Sequence, residues 1–543
     1  MTQLNTRFIR AADILARRLH EAGCRYAFGM PGGEVLTLVD ALETAGIHFV
    51  LCKHENSAGF MAEGVHHFTG APGILVATVG PGALNAVNVV ANAEQDRVPL
   101  ILLTGSIDPT EALTYTHQVL DHEAVFKPIT KCTFRLTAEG ADTIADKAVA
   151  IALEGRSGPV HIDIPISVAD EAVPNLRLRR RAPPSKSQPA EGPDLEKARN
   201  WLRSAERPIM IVGLDAVKDE AGPEIRGFAE TYGMPFITTY KAKGIVSEDH
   251  PLCLGGAGLS PLNDKILLPI VQSADLILCV GYDPIEMRIG WREIWDPVQV
   301  NVIDISATPN HHYMHQAGLH FVADTAATLA ALKTGAAPRR TWTGGEIART
   351  KSGLRAAFPM DDAWGPAAVI DECRKFLPKD AIATVDSGAH RILLSQTWTC
   401  FQPRTLLQST GLCTMGCAVP LAIGVSIADP ARKTISFSGD AGMLMVAGEL
   451  ATAAELKLNT IFVVFVDASL ALIEAKQRQR QMRNNAVDFG THDFAAIGRA
   501  FGGEGYSVAS REELSAALNQ ACQAKTFSVI SAVIDRRAYD GRF

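Results

Sequence analysis

Two carboxylates in the last third of the chain are spaced so that they could hold one metal ion together. Asp440 belongs to the turn Gly-Asp-Ala-Gly, which follows an apolar run ending at Gly439, and Asp467 directly follows the apolar run 462–466. If both runs are neighbouring parallel strands, the carboxylates lie at one sheet edge, where such sheets bind ligands. A hard cation such as Mg²⁺ prefers oxygen ligands and often bridges to phosphates. We therefore predict a magnesium site formed by Asp440, Asp467 and Ser469.

Two other motifs each have two interpretations on the residues alone. Glu55, in Lys-His-Glu-Asn, could be a catalytic carboxylate, or it could cap a helix that begins at Asn56. The segment Gly80-Pro81-Gly82 could leave room for a planar ring, or it could be a simple strand-to-helix turn. The Gly-Asp-Ala-Gly turn is similarly ambiguous, because such turns are frequent in α/β proteins.

Taken in order, these motifs resemble those of the thiamine-diphosphate-dependent enzyme superfamily, and most of all the catabolic-type acetolactate synthase large subunits. The resemblance covers nearly the whole chain, and chance is a poor explanation for it. It rests on the Gly-Asp turn and its spacing to Asp467, on the Leu-Ala-Leu-Ile-Glu-Ala-Lys-Gln segment that follows, and on the motifs 31–33, 53–56, 80–85, 155–165, 281–286 and 411–416.

The resemblance implies roles for residues of the first third of the chain. Glu55 would hydrogen-bond N1′ of the cofactor's aminopyrimidine ring, and Gln118 would approach the bound substrate. A solvated loop position is the alternative for Gln118. The implied cofactor-binding residues in this part are Pro31, Gly32, Gly80, Pro81, Gly82 and Asn85.

The resemblance likewise implies roles in the last third. Met415 would be the bulky apolar residue that bends the cofactor, and the alternative for it is core packing. His390 would contact the diphosphate of the cofactor, and the alternative for it is a structural role. Ile473 stands where pyruvate decarboxylases have a glutamate. The implied cofactor-binding residues in this part are His390, Met415, Gly439, Ala441, Gly442, Leu472 and Ile473.

The chain departs from the family pattern in three motifs. Val466-Asp467 replaces the usual Asn-Asn, which adds a negative charge beside an anionic diphosphate and should make the site depend more strongly on its cation. Ala441 and Cys413 replace glycines, and Cys413 could narrow its loop. We expect metal binding to be retained, because a carboxylate is a competent Mg²⁺ ligand.

The composition is that of an ordinary globular α/β protein, with 47% hydrophobic and 20% charged residues. A net charge of -7 leaves no basic excess for nucleic acid or an anionic membrane, so a small-molecule partner is expected. The ten cysteines include no CxxC pair and indicate a reducing compartment. Charged residues interrupt the N-terminal apolar positions, so we expect no secretory signal, no membrane span and a cytoplasmic protein.

Short apolar runs alternate with helical patterns, which predicts three tandem doubly wound parallel-sheet domains of the α/β class. We predict an N-terminal pyrimidine-binding domain over 1–176, a central Rossmann-like domain over 194–333 and a C-terminal diphosphate-binding domain over 359–543. Segments 177–193 and 334–358 are the predicted linkers. The predicted strands lie at 26–28, 49–52, 74–79, 100–103, 160–164, 208–213, 235–239, 276–281, 300–305, 381–386, 433–439, 460–466 and 528–534.

The function implied by the resemblance is decarboxylation of a 2-oxo acid with carboligation of the remaining fragment to a second carbonyl compound. Gln118 and Ile473 favour carboligation, because neither supplies the acid that simple release of an aldehyde requires. Thiamine diphosphate and Mg²⁺ are the implied cofactors, FAD is doubtful, and a homodimer or homotetramer is implied. The alternatives are a non-ligating decarboxylase, a C-C lyase on an unusual substrate, or a catalytically silent cofactor-binding relative.

Overall fold

Three six-stranded parallel sheets follow one another along the chain in the computed structural model, which describes residues 8–175, 182–285 and 287–543. Helices connect most of the successive strands of the sheets, as is usual for parallel pairing. The predicted α/β class with three parallel sheets is therefore confirmed. Residues 177–181 of the first predicted linker and Glu286 of the motif 281–286 lie outside the described residues.

The first sheet has the strand order β3-β2-β4-β5-β7-β6, and β1 and β8 form a separate antiparallel pair. The strands are β1 (Phe8–Arg10), β2 (Tyr26–Met30), β3 (His48–Leu51), β4 (Gly73–Ala77), β5 (Leu100–Ser106), β6 (Cys132–Arg135), β7 (Pro159–Pro165) and β8 (Ala172–Pro174). The helices are α1 (Ala11–Glu21), α2 (Leu36–Thr44), α3 (Glu55–Thr69), α4 (Pro81–Asn85), α5 (Val87–Gln95), α6 (His122–Phe126), α7 (Ala141–Leu153) and α8 (Ile166–Asp170).

The second sheet has the order β11-β10-β9-β12-β13-β14, which is the doubly wound order of dinucleotide-binding folds. Its strands are β9 (Pro208–Val212), β10 (Phe236–Thr239), β11 (Cys253–Ala257), β12 (Leu276–Val280), β13 (Asn301–Ser306) and β14 (Leu319–Val322). The helices are α9 (Pro193–Ser204), α10 (Leu214–Lys218), α11 (Gly222–Tyr232), α12 (Pro261–Gln272) and α13 (Thr325–Lys333).

The segment 334–358, predicted as a linker, contains the helix α14 (Glu346–Ala357). Ile347 and Leu354 of this helix pack against the apolar core of the second sheet, and the Trp342 indole donates a hydrogen bond to the Pro208 carbonyl. The chain between the second and third sheets is therefore attached to the second one.

The third sheet has the order β16-β15-β17-β18-β20-β19, which repeats the topology of the first sheet strand for strand. Its strands are β15 (Ile382–Val385), β16 (Leu406–Gln408), β17 (Thr434–Gly439), β18 (Ile461–Val466), β19 (Glu504–Val508) and β20 (Ser528–Val533). The helices are α15 (Pro366–Phe376), α16 (Ala389–Thr397), α17 (Ala418–Ala428), α18 (Asp440–Val446), α19 (Glu449–Glu455), α20 (Ala471–Gln479), α21 (Phe494–Ala500) and α22 (Arg511–Gln523).

One apolar core joins the first sheet's domain to the third, because α3 and α17 pack against each other. Glycines at the crossing allow the backbones to approach closely: a Cβ on Gly64 or Gly424 would overlap the backbone of the facing helix. All ten cysteines are free, as the absence of a CxxC pair suggested. Among the described residues, no helix has both the length and the apolar character needed to cross a bilayer.

Candidate functional site

Asp440 and Asp467 meet at the carboxyl end of the third sheet, as their positions after two apolar runs predicted. Asp440 follows β17 and Asp467 follows β18, and these strands are adjacent and parallel. The Asp440 carboxylate accepts hydrogen bonds from the backbone N–H groups of Asp467 at 3.2 Å and Ala468 at 2.8 Å. Ala468 has a left-handed φ of 55°, and this turn brings both N–H groups to Asp440. The local geometry therefore holds the two carboxylates next to one cavity.

The two carboxylates repel each other. Burial raises the pKa of Asp440, and burial together with the charge of Asp440 raises the pKa of Asp467 to about 7. A divalent cation between them would offset this repulsion and favour both ionised forms. In the described part of the chain, no group of three or more His, Cys, Asp or Glu side chains is arranged to hold a metal. Backbone carbonyls, water and phosphate oxygens would therefore have to complete a shell around this pair.

Ser469, the third predicted metal ligand, uses its hydroxyl elsewhere. The Oγ atom donates a hydrogen bond of 2.9 Å to Asp488, and the Ser469 N–H donates to Asp467 at 3.1 Å. The hydroxyl is thus engaged, and the carbonyl oxygen is the group of Ser469 that remains for a cation. A metal-binding role for this residue stays a prediction.

A cavity of about 690 Å³ opens above the two carboxylates, and its size is typical of a cofactor site. All ten candidate residues of the last third line it: His390, Met415, Gly439, Asp440, Ala441, Gly442, Asp467, Ser469, Leu472 and Ile473. The structure therefore brings together every site residue that the sequence placed in this part of the chain.

The polar groups of this cavity fit an anionic, hydrogen-bonding ligand. His390 Nε2, Ser387 Oγ and the Tyr539 hydroxyl are buried without a hydrogen-bond partner among the described residues. Buried polar atoms are normally paired, so unpaired ones at a cavity wall indicate a missing partner. Burial also lowers the pKa of His390 to about 3, which keeps its ring neutral. Phosphate oxygens on a bound cation would satisfy these atoms.

Asp386 holds the loop that carries Met415 in place through hydrogen bonds. The Asp386 carboxylate accepts hydrogen bonds from the N–H groups of Gly416 at 3.0 Å and Cys417 at 3.2 Å. Burial raises the pKa of Asp386 to about 6. A Cβ on Gly442 would overlap the same carboxylate, so this position of the Gly-Asp-Ala-Gly turn admits only glycine. Cys413 at the loop's tip is exposed and contacts Arg391.

Residues of helix α5, in the first domain, fix the other side of the loop. Asp96, just after the helix, accepts hydrogen bonds from the Thr410 hydroxyl and N–H and from the Gly411 N–H, and it pairs with Lys241 at 2.9 Å. Asn92 accepts a hydrogen bond from Ser409. The sequence analysis missed this support, because no spacing pattern links residues more than 300 positions apart.

Glu55 lies in a second group of candidate residues at the carboxyl end of the first sheet. It begins α3, and the preceding His54 caps that helix by accepting a hydrogen bond from the Asn56 N–H. Glu55 is 4% exposed and accepts a hydrogen bond of 3.0 Å from the Asn85 side chain. His54 thus provides the side-chain cap and Glu55 is the acidic residue of the first turn, so a role of both residues in stabilising the helix start stays an alternative to the catalytic role.

The turn at Gly80 is pinned and brings Gln118 close. The Gly80 N–H donates to His122 Nε2 at 3.1 Å, and His122 Nδ1 lies 3.0 Å from Asp163. A Cβ on Gly80 would lie 3.4 Å from Gln118 Cβ, and Gln118 has a left-handed φ of 57°. Gln118 and Pro81 are exposed beside the turn.

The remaining candidates of the first domain lie around the same sheet edge. A Cβ on Gly82 would approach the Glu55 carboxylate at 3.1 Å. Pro31 and Gly32 follow β2, and a Cβ on Gly32 would overlap the side chain of Thr78. These residues form a second half of the candidate site, which surrounds Glu55.

The two halves are separate within one chain. The described residues that line the 690 Å³ cavity come from the second and third domains, and Glu55 and its neighbours are not among them. Both halves carry exposed apolar side chains near their openings: Met30, Leu51, Leu84 and Val119 on the first, and Leu412, Leu444, Met445 and Ile473 on the third. Each half is therefore left with uncovered apolar surface.

The cavity also contains residues that the sequence analysis did not identify. Leu259, Pro261 and Arg288 come from the second domain, and Tyr539 and its neighbours come from the C-terminal segment. Arg288 lies 3.7 Å from Asp264 and faces the cavity as a cation. No motif marks these positions, because they reach the site only through the packing of the domains.

Comparison with known proteins agrees with this architecture. Family models of thiamine pyrophosphate enzymes match the chain three times: the N-terminal TPP binding domain over residues 9–125, the central domain over 195–332 and the C-terminal TPP binding domain over 386–532. An acetolactate synthase of Bacillus subtilis is 31% identical over 97% of this chain and 93% of its own length. A catabolic acetolactate synthase of Raoultella terrigena is 28% identical over 97% and 95%. A probable acetolactate synthase large subunit of Methanocaldococcus jannaschii is 29% identical over 97% and 92%.

Proposed function

The chain belongs to the thiamine pyrophosphate enzyme family, and from this premise we propose that it decarboxylates a 2-oxo acid and joins the remaining fragment to a second carbonyl compound. Its similarity to acetolactate synthases supports this reaction. One observation carries the proposal: two carboxylates and three unpartnered buried polar groups converge on one cavity. Thiamine diphosphate, when bound, supplies a carbon nucleophile and an acceptor for the electrons that carbon dioxide leaves behind.

Asp440 and Asp467 would hold Mg²⁺, and His390 and Ser387 would donate hydrogen bonds to the diphosphate. Gly439 and Gly442 leave room for these phosphates because they have no side chain. Met415, on a loop held by two hydrogen bonds to Asp386, provides a rigid apolar support for the rest of the cofactor. The third domain therefore anchors the cofactor and positions it.

Glu55 would hydrogen-bond the aminopyrimidine ring from the other side. Its carboxyl group is already held by Asn85, so little reorganisation is needed for it to hydrogen-bond the ring nitrogen N1′ and to protonate it. In one chain Glu55 does not reach the cavity, and we propose that a second copy of the chain supplies it. The exposed apolar side chains around both halves favour such an association, with a homodimer as the smallest assembly.

The groups near the substrate favour carbon-carbon bond formation over release of an aldehyde. Ile473 is an exposed apolar residue of the cavity wall, and Gln118 is a neutral amide. Neither can donate a proton readily. Arg288 and Lys476 provide the positive charge that a 2-oxo acid carboxylate needs.

FAD stays doubtful in the central domain, whose switch point, where such sheets bind nucleotides, lies between β9 and β12. A Cβ on Gly213 would overlap the backbone of Gly281, so the two strand ends are in direct contact. Arg97 of the first domain is ion-paired with Asp215 and Asp283 at the same place. These ion-paired residues occupy part of the crevice, and a cavity of about 280 Å³ lined by Arg97 and Asp215 lies beside them.

The proposal is tested by supplying purified protein with thiamine diphosphate, Mg²⁺ and pyruvate, and by identifying the products by mass spectrometry. Acetolactate with carbon dioxide is the expected result. Acetaldehyde instead would identify a non-ligating decarboxylase, and cofactor binding without any product from a panel of 2-oxo acids would indicate a silent relative. Arg292→Ala, outside the cavity, serves as the control variant.

A further inference from the structure

The C-terminal segment forms part of the wall of the cofactor cavity. Tyr539, Asp540, Gly541 and Phe543 line it. Two ion pairs hold this segment: Arg478 of α20 contacts both oxygens of Asp540, at 2.8 and 2.7 Å, and Arg542 pairs with Asp362. The segment therefore occupies a defined place beside the two carboxylates.

Within this segment, Tyr539 has the properties expected of a residue that binds a ligand. Its side chain is 5% exposed and its ring packs in the core of the third domain. Its hydroxyl has no hydrogen-bond partner among the described residues, although the residue faces the cavity. Leaving a buried hydroxyl unpaired is unfavourable, so a phenylalanine would suit a purely packing role better.

Charge around Tyr539 favours a donor role. Burial raises the pKa of its phenol well above the ordinary value, and the charges of Asp467 and Asp440 raise it further. The phenol therefore stays protonated and can give a hydrogen bond. The same surroundings explain why an anion would approach it only together with a cation held by the two carboxylates.

We propose that Tyr539 is a cofactor-anchoring residue, whose hydroxyl donates a hydrogen bond to the metal-bound diphosphate end of the cofactor. The acceptor is a diphosphate oxygen, which carries negative charge and has lone pairs free to accept the bond. This inference rests on the proposed function, because it takes thiamine diphosphate as the occupant of the cavity. It assigns the C-terminal segment a role in binding the cofactor.

The test compares Tyr539→Phe with the unchanged protein by calorimetric titration with thiamine diphosphate in saturating Mg²⁺. The phenylalanine keeps the ring and its packing, so we expect the variant to fold and its cofactor-free melting temperature to be equal or higher. Hydrogen bonds to charged groups are strong, and the dissociation constant should rise by about tenfold. Tyr506→Phe, on β19 and away from the cavity, should leave the dissociation constant unchanged.

Equal affinities of Tyr539→Phe and the unchanged protein would overturn the inference while leaving the proposed function intact. A failure of the unchanged protein to bind the cofactor would overturn both. If Tyr539→Phe were to fold poorly, Arg478→Gln offers a second test, because it releases Asp540 without touching the tyrosine. If the C-terminal segment anchors the cofactor, Arg478→Gln should bind thiamine diphosphate severalfold more weakly. An unchanged affinity of this variant would contradict the anchoring role.

Discussion

The first and third sheets have the same strand order but opposite chemistry at their carboxyl ends. At the third sheet, Asp440 and Asp467 repel each other and three buried polar groups have no partner. At the first sheet, Glu55 is paired with Asn85, and the Gly80 turn is fixed through His122. The third-sheet edge is thus incomplete without a charged ligand, whereas at the first-sheet edge the carboxylate of Glu55 already has a partner. The difference suggests that the third domain anchors the cofactor and the first activates it.

The largest effect should come from a substitution of Glu55 at the carboxyl end of the first sheet. Glu55→Gln keeps the size of the side chain and its contact with Asn85 but removes the negative charge. Turnover should fall about 10³-fold, within the usual range for a lost proton-transfer group, while cofactor affinity changes little. Carbon dioxide release and calorimetric titration measure the two quantities. A large loss of affinity with normal turnover would reverse the roles of the two edges.

Removing a ligand from the incomplete edge should act mainly on binding. Asp440→Ala should weaken Mg²⁺-dependent cofactor binding by at least about 100-fold, because it removes one of the two carboxylates available to the cation. Asp361→Ala is a suitable control, since that carboxylate is exposed and does not line the cavity. The account would fail here if Asp440→Ala bound the cofactor as tightly as the control.

Asp96 follows helix α5 of the first domain and holds the loop of the third domain that carries Met415. Its loss should therefore disturb the carboxyl end of the third sheet. Asp96→Ala removes the ion pair with Lys241 and the acceptor of the Thr410 and Gly411 N–H groups. We expect a loss of about 3 kcal/mol of folding free energy, as for a broken buried pair. Denaturant unfolding measures it, with Glu94→Ala on the same side of α5 as the comparison. Equal stabilities would show that the loop is held by other contacts.

The smallest expected effect is that of Asp467, which adds a negative charge at the carboxyl end of the third sheet. The pKa of Asp467 in the folded protein, about 7, lies above its ordinary value of 3.8, so the cofactor-free protein should lose stability as pH rises between these values. Asp467→Asn should remove most of this loss, about 2 kcal/mol at pH 8, and should reduce the affinity for Mg²⁺. Melting curves across this pH range test it, and identical curves for both proteins would contradict it.

The sequence predicted the interior strands of each sheet and missed most of those at the edges. β6, β11, β14, β16 and β19, each at an edge of its sheet, were not predicted, and neither was the short pair β1 and β8. β6, β14 and β19 are partly exposed and carry polar residues, β11 contains two glycines, and β16 is only three residues long, so none has the long continuous apolar run of a buried parallel strand. The boundaries of the three domains stay a prediction.

The residues of the candidate site also divide into those that the sequence predicted and those that it missed. Residues in motifs, such as Asp440 and His390, were found because their chemistry depends on local spacing. Arg288, Asp96 and Tyr539 were missed because they reach the cavity or its loop from distant parts of the chain. The residues alone did not show that the two halves would be separate in one chain, and only the family resemblance, through the homodimer or homotetramer that it implies, pointed to it.

The central claim, one cofactor site built from two copies of the chain, is tested most directly by mixing two inactive variants. Glu55→Gln and Asp440→Ala are co-expressed with different tags, and the mixed dimers are purified and assayed for carbon dioxide release from pyruvate. Each mixed dimer would contain one site with both residues intact, so about half of the unchanged protein's activity should return. Mixed dimers as inactive as either variant alone would contradict the account.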